Sequence, residues 1–136
     1  MSRQFSERLS AAVDNAEARD ERARHAAEMI RDEGGYRWVG IYDVGDEEIA
    51  ILGYTGARTP AHSSLGISEG LSGEAVRLRK TAVGNDVAQA VVPILGAESG
   101  VVIGTLDAES DRTGVFDADD VAFLEDCAAA LRPLYD

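Results

Sequence analysis

The stretch AVVPILGAESGVVIGTLDAE, from Ala90 to Glu109, decides the fold that we predict for this chain. It holds two apolar runs, AVVPIL and GVVIGTLDAE, which are separated by the residues from Gly96 to Ser99. Two such runs joined by a short glycine-containing segment are typical of an antiparallel hairpin. Because both runs are nearly continuous in apolar residues, we expect them at the buried centre of a sheet.

A second hairpin is predicted upstream, from YRWVGIYDV (Tyr36 to Val44) and EEIAILGYTG (Glu47 to Gly56). Both segments are rich in β-branched and aromatic residues, and the Gly45-Asp46 pair between them suits a tight turn. Since side chains alternate along a strand, one face of the first segment is predicted to be an aromatic platform with a glycine gap. The members of that face are Tyr36, Trp38, Gly40 and Tyr42.

Helices are predicted around these strands. The segment from Arg3 to about Glu33 is alanine-rich and free of Gly and Pro, which predicts one long helix. GLSGEAVRLRK (Gly70 to Lys80) predicts a short helix, TAVGNDV (Thr81 to Val87) a strand, and the acidic segment from Asp117 to about Pro133 a closing helix. The predicted fold class is α+β, with a central antiparallel sheet. The N- and C-terminal helices lie on one face, and loops and the short helix cover a pocket on the other.

The N-terminal helix allows two interpretations. Its seam of mostly small and apolar residues is Leu9, Val13, Ala16, Asp20, Ala23, Ala27 and Ile30. The seam either packs on its own domain or forms a homodimer bundle. We prefer the homodimer, through Leu9, Val13, Ala16 and the C-terminal helix, because small residues favour close packing of helices.

Length and composition exclude several classes of protein. With 136 residues and 45% hydrophobic content, the chain fits one domain, in which residues 1–35 and 36–136 belong together. No apolar run is long enough to span a membrane and no signal peptide is present, which predicts a cytoplasmic protein. The formal net charge is −12 and Lys80 is the single lysine, so neither nucleic acid nor an anionic membrane is an expected partner. Such an acidic surface also suits a high-salt cytoplasm.

Thiol and imidazole groups are scarce in the sequence. Cys127 is the only cysteine, which excludes an internal disulfide and a thiolate-rich zinc site. His25 and His62 are unrelated in spacing and indicate no metal site. We therefore expect neither a metal nor a cofactor.

The order of these elements coincides with three segments that resemble a GAF domain. They are GLSGEAVRLRKTAVGNDV (residues 70–87), VVPILGAESGVVIGTLDAES (residues 91–110) and FDADDVAFLEDCA (residues 116–128). The resemblance covers Tyr36 to Leu131 and implies a PAS-like central antiparallel sheet. It also implies a module that binds a small molecule and serves in signal transduction.

Within that family, YRWVGIYDV and LDAES most resemble the free methionine-(R)-sulfoxide reductases. Those enzymes use cysteine thiols, one of them in a Gly-x-Cys-Gly turn, where this chain has Gly70, Leu71, Ser72 and Gly73. An unactivated hydroxyl cannot replace a thiol as nucleophile on a sulfoxide. We therefore predict no catalytic residue, and the enzyme remains only an alternative.

The resemblance also implies a set of ligand-binding residues. Its members are Trp38, Tyr42, Asp86, Gln89, Asp107 and Glu109. Aromatic rings attract a cation, and paired carboxylates accept hydrogen bonds from an ammonium group. The alternatives are that the two aromatics are core packing and that the two acids at the end of the last strand cap the following loop.

The expected function is a standalone sensor domain for an amino-acid-like or amine-bearing metabolite. Any signal would pass to a separate output protein. Two alternatives stay open: a sulfoxide-reductase-like enzyme or degenerate relative, and a dimeric interaction scaffold without a ligand.

Overall fold

The computed structural model describes residues 1–57, 59–60, 64–84, 88–111 and 116–136. Six strands occur in this part of the chain: β1 (Trp38–Val44), β2 (Glu48–Gly56), β3 (Ser64–Gly66), β4 (Ala82–Val83), β5 (Gln89–Leu95) and β6 (Val102–Glu109). The helices there are α1 (Arg3–Val13), α2 (Arg19–Gly34), α3 (Gly70–Leu78) and α4 (Ala118–Ala130), followed by a 3-10 helix (Arg132–Tyr135). The strands form one antiparallel sheet in the order β3-β2-β1-β6-β5-β4, so the fold class is α+β as predicted.

Both predicted hairpins are present in the sheet. β1 pairs with β2, and β5 pairs with β6. β6 lies at the centre beside β1, whereas β5 is one strand from the edge. The predicted strand from Thr81 to Val87 is shorter than expected, because only Ala82 and Val83 pair with β5, and residues 85–87 lie outside the described residues. The short strand β3 was not predicted.

The helices at the two ends of the chain cover one face of the sheet. α2 packs on β1 and β2, α4 packs on β5, and α1 lies against both helices. The apolar side chains of Val39, Ile41 and Leu106 enter the same core as Leu9 and Leu124. No helix in the described ranges has the length and apolar character needed to cross a membrane. Asp117 begins α4, since its side chain accepts a hydrogen bond from the backbone N–H of Asp120.

The single N-terminal helix that we predicted is two helices. α1 ends at Val13, and α2 begins at Arg19. Asn15 explains the break, because its amide donates to the carbonyl groups of Ala11 and Ala12, and its carbonyl oxygen accepts from the N–H of Glu17. A side chain that competes for backbone groups in this way ends a helix. The chain then turns, and α1 packs on α2.

The break also overturns the dimer seam that we predicted. Leu9 and Val13 are 0% exposed within the core of a single chain, so their side chains are not available to a partner. Ala16 lies exposed in the link between the two helices and does not continue their seam. The interpretation that this segment packs on its own domain is correct for Leu9 and Val13.

Tyr36 lies on the helix face, and its predicted place beside Trp38 is wrong. Its ring stacks on Phe116 with centroids 5.6 Å apart, and its hydroxyl donates to Asp120 at 3.0 Å. Strand β1 begins only at Trp38, so the alternation of side chains does not extend back to Tyr36.

Arg19 connects three separate parts of the fold. Its guanidinium forms a two-point ion pair with Asp43 on β1, and its Nε donates to the carbonyl of Leu134 at 2.6 Å. The same group lies over the ring of Tyr135, whose hydroxyl donates to the carbonyl of Tyr42 at 2.7 Å. The start of α2, the strand β1 and the C-terminal 3-10 helix are thereby held together.

Gly53 allows α2 to approach the sheet and gives the first prediction. A Cβ atom at this position would lie 2.7 Å from the backbone nitrogen of Arg24, whereas one at Gly45 would meet nothing closer than 3.5 Å. We expect Gly53→Ala to lower the free energy of unfolding by about 1–3 kcal/mol, since α2 must shift. Gly45→Ala is the matched control and should leave it nearly unchanged. Urea denaturation measures both, and equal stabilities would contradict the close approach.

Candidate functional site

The register of the central strands brings polar side chains together on the face opposite α2 and α4. Along the pairing of β1 with β6, Gly40 lies opposite Asp107, and Tyr42 lies opposite Thr105. Asp107 is also opposite Val91 of β5, which packs under α3 with Ala75. Side chains two residues apart on a strand share a face, so Thr105, Asp107 and Glu109 belong to this side of β6.

Asp107 is the most unusual residue on this face. Its side chain is buried, at 3% exposure, and its Oδ2 accepts only a long hydrogen bond of 3.4 Å from the hydroxyl of Ser72. Its Oδ1 and the Oγ1 of Thr105 are both buried without a hydrogen-bond partner in the part of the chain that the structure describes. A buried polar atom without a partner is energetically costly and calls for a specific explanation.

The surroundings of Asp107 disfavour its charged form. Burial raises the pKa of Asp107 from 3.8 to about 7, and the nearby charge of Glu109 acts in the same direction. The neighbouring hydroxyls of Thr105 and Ser72 oppose that rise but do not cancel it. Near neutral pH the carboxyl group therefore changes readily between its protonated and charged forms.

The first turn of α3 brings Ser72 to Asp107. Gly70 begins this helix in a left-handed conformation with φ of +63°, which favours glycine. A Cβ atom at Gly73 would lie 2.4 Å from the backbone of Ser68, so only glycine lets the helix fold so closely onto the preceding loop. The Gly-Leu-Ser-Gly segment thus has a clear structural role in closing this side of the sheet.

The two predicted aromatic residues form a buried wall beside the carboxyl group. Trp38 and Tyr42 belong to one apolar cluster with Ile49. The indole ring lies over Gly40, where an added Cβ would be 2.4 Å from it, and stacks on Tyr54 at a centroid distance of 6.1 Å. The gap that we predicted at Gly40 is therefore filled by Trp38, because that position has no side chain of its own.

The remaining predicted site residues lie around the rim or outside the described ranges. Glu109 is mostly buried and accepts a hydrogen bond from Arg37 at 3.3 Å. Gln89 is half-buried and lies opposite Glu109 in the register of β5 and β6. Asp86 lies outside the described residues, as does His62.

Thr105 and Ser72 contribute to the site in a way that sequence reasoning missed. Thr105 is two residues before Asp107 on one strand, and that spacing alone places both on one face. Ser72 was considered only as a replacement for a thiol, whereas in the structure its hydroxyl donates to the carboxylate of Asp107 at 3.4 Å.

Cys127 is remote from this face. It lies in α4, fully buried in the helical core on the other side of the sheet. Burial raises the pKa of its thiol to about 12, so the reactive thiolate is scarce at neutral pH. Among the described residues, no three His, Cys, Asp or Glu side chains are grouped as metal ligands.

No protein-family model and no curated protein matches the chain. Solved structures do match it. A free methionine-R-sulfoxide reductase from Neisseria meningitidis, in complex with its substrate, is similar with a TM-score of 0.84 and 23% identity over 98% of this chain and 87% of the other. The GAF domain of an Acinetobacter phosphoenolpyruvate-protein phosphotransferase is similar with a TM-score of 0.82 and 16% identity, over 98% of this chain and 93% of the other. The fRMsr of Staphylococcus aureus, in complex with substrate, is similar with a TM-score of 0.79 and 21% identity, over 98% of this chain and 94% of the other.

The fold is that of a GAF domain. This confirms the resemblance drawn from the sequence, and it agrees with the sheet and helix arrangement described above. The GAF fold is shared by sensory domains and by the sulfoxide reductases, so it does not assign the activity of this chain.

The pKa of Asp107 gives a second prediction. Because the folded-state pKa of about 7 exceeds the ordinary value of 3.8, folding retains a proton that the unfolded chain releases between these values. The free energy of unfolding therefore falls as pH rises through this window and levels off above it. Asp107→Asn removes this loss, so the variant should gain stability relative to the natural chain by a few kcal/mol between about pH 4 and pH 8.

Urea denaturation across this pH range measures the difference. Asp46→Asn is the matched control, since it removes the same charge from an exposed hairpin position. If the stability difference for Asp107→Asn were as flat with pH as that for the control, a buried and unpartnered carboxyl group would be contradicted.

Proposed function

We propose that this GAF domain is a cytoplasmic sensor that binds a small amine-bearing molecule, of the amino-acid class, at Asp107. The observation that carries the proposal is the buried carboxyl group of Asp107, whose Oδ1 has no hydrogen-bond partner among the described residues although the hydroxyl of Thr105 lies nearby. Two acceptors that are adjacent in this way suit a guest that donates several N–H groups. An ammonium group would do so and would also favour the charged carboxylate.

The surrounding residues support a compact guest with an apolar part. Trp38 and Tyr42 provide a buried apolar wall on β1, next to the position of Asp107. Glu109, on the same strand face, would add a second acidic group at the rim, where Arg37 partly offsets its charge. An amino acid with an apolar side chain matches this combination of acidic and aromatic groups.

The proposal is binding without sulfoxide reduction. The two similar reductase structures contain their substrate, and their fold is close to this one. In this chain the corresponding turn carries Ser72, and the thiol of Cys127 is buried on the opposite side of the sheet. A sensor of this kind would transmit occupancy of the Asp107 site to a separate output protein. We keep the homodimer as part of the proposal, with an interface away from Leu9 and Val13.

Calorimetric titration with single amino acids, methionine sulfoxide and polyamines tests the proposed binding. Binding should also raise the free energy of unfolding, by about 2.7 kcal/mol when the ligand is present at about a hundred times its dissociation constant, and urea denaturation measures that increase. Asp107→Asn should weaken binding about tenfold or more, since a hydrogen bond to a charged group is lost. Thr105→Val should weaken it less, and Asp46→Asn should leave it unchanged.

Two results would replace this proposal with one of the alternatives. Consumption of methionine sulfoxide with a thiol reductant, lost in Cys127→Ser, would establish a reductase. Self-association that is indifferent to every compound, together with an unresponsive Asp107→Asn variant, would favour an interaction scaffold.

A further inference from the structure

A groove at the edge of the sheet lies apart from the Asp107 site. It has a volume of about 210 Å³ and runs between β5, the residues that follow α3, and the end of α4. Five of its lining residues have polar side chains: Arg79, Lys80, Thr81, Glu125 and Arg132. Three of these are cations, including the only lysine of the chain.

The charge of this groove is opposite to that of the protein. The chain has 25 acidic and 13 basic residues, so a basic side chain readily finds an acidic neighbour. Within the described residues, however, none of the three groove cations forms an ion pair. The one lining carboxylate, Glu125, accepts the hydroxyl of Thr81 at 2.6 Å. Three positive charges and one negative charge leave the groove at +2.

Arg79 is held in a backbone conformation that disfavours an arginine. Its φ of 53° is left-handed, and it is the one non-glycine residue with a positive φ in the described ranges. The residue lies at the C-terminal cap of α3, where glycine is the usual choice. Unfavourable backbone conformations persist only where the surrounding structure enforces them, and they cluster at functional sites.

Arg132 is fixed on the other side of the groove. Its Nε donates to the carbonyl of Leu95 at 2.9 Å, which anchors the guanidinium at the C-terminal end of β5. Cations at the ends of α3 and α4 also stabilise the helix dipoles, and this accounts for their positions along the chain. It does not account for an arginine in a glycine conformation, nor for three cations around one cavity that form no ion pair with any residue the structure describes.

We propose that this groove binds a small dianion of the phosphate class. The net charge of +2 matches a phosphate or phosphomonoester dianion, and the volume of about 210 Å³ limits the guest to a small molecule. Arginine and lysine are the side chains that bind phosphate oxygens most effectively. The groove includes none of Ser72, Thr105 and Asp107, so the proposed amine and the dianion would occupy separate places.

Calorimetric titration with inorganic phosphate at low ionic strength and about pH 8, where phosphate is mainly a dianion, tests this proposal. Acetate at the same ionic strength is the monoanion control. We expect saturable binding of phosphate that exceeds the response to acetate. Glycerol phosphate distinguishes the source of the dianion, because tighter binding than phosphate would indicate a phosphorylated metabolite and equal or weaker binding free phosphate.

Three variants connect the binding to the groove. Arg79→Gly removes a cation and suits the left-handed backbone, so it should fold at least as stably as the natural chain and bind phosphate about tenfold more weakly. Lys80→Gln should weaken binding similarly. Arg77→Gln removes the same charge from an exposed position of α3 that does not line the groove, and it should bind normally. No saturable phosphate binding, or equal affinities in all three variants, would overturn the proposal.

Discussion

Strand β6 is covered on both of its faces, and the rest of the structure follows from this constraint. Leu106 and Ala108 enter the core beneath the helices, whereas Thr105 and Asp107 are buried on the opposite side. A strand with one wet face could place polar side chains there at little cost. Here the second face is also buried. Each polar atom on it must therefore form a hydrogen bond within the protein, be neutralised by protonation, or bind a ligand.

The helix face carries the largest apolar cluster of the described residues, whereas the opposite face has two smaller ones. It combines a continuous apolar core with the contacts of Arg19 and Tyr135, which fasten the C-terminal end of the chain to β1. Tyr42 takes part in both faces, because its carbonyl accepts the hydroxyl of Tyr135 while its ring lies in the cluster with Trp38. The polar site around Asp107 thus lies beside a strand that is fastened from the helix face.

The sequence was sufficient for the elements whose pattern is local. The apolar runs on either side of Gly96 to Ser99 predicted the β5–β6 hairpin, and the alternation within β6 placed Asp107 and Glu109 on one face. The sequence was insufficient where the hydrogen bonds of a single side chain determine where a helix ends. Asn15 ends α1 through bonds to the main chain, and nothing in the periodicity of the surrounding residues shows that it will do so.

Burial was the other quantity that pattern alone could not supply. Leu9 and Val13 have the same spacing whether they face a partner or their own sheet, and only the turn after Val13 decides between the two. Likewise, Gly40 predicted a gap, but the large ring of Trp38 lies back across it. The pairing of Ser72 with Asp107 spans 35 residues and depends on how Gly73 closes against Ser68.

Each of the two proposed sites lowers the free energy of unfolding of the protein. At Asp107 the fold buries a carboxyl group whose Oδ1 has no hydrogen-bond partner among the described residues, and at Arg79 it holds a backbone conformation that a glycine would occupy more easily. The long-range field of a chain with net charge −12 attracts an amine and repels an anion. On the two proposals, an amine is attracted at long range, whereas a phosphate is captured at contact distance by a groove whose three cations outnumber its one lining carboxylate, Glu125. That difference fits the two proposed sites, since the acidic one is centred on a single buried carboxyl group and the basic groove is lined by three cations that form no ion pair with any described residue.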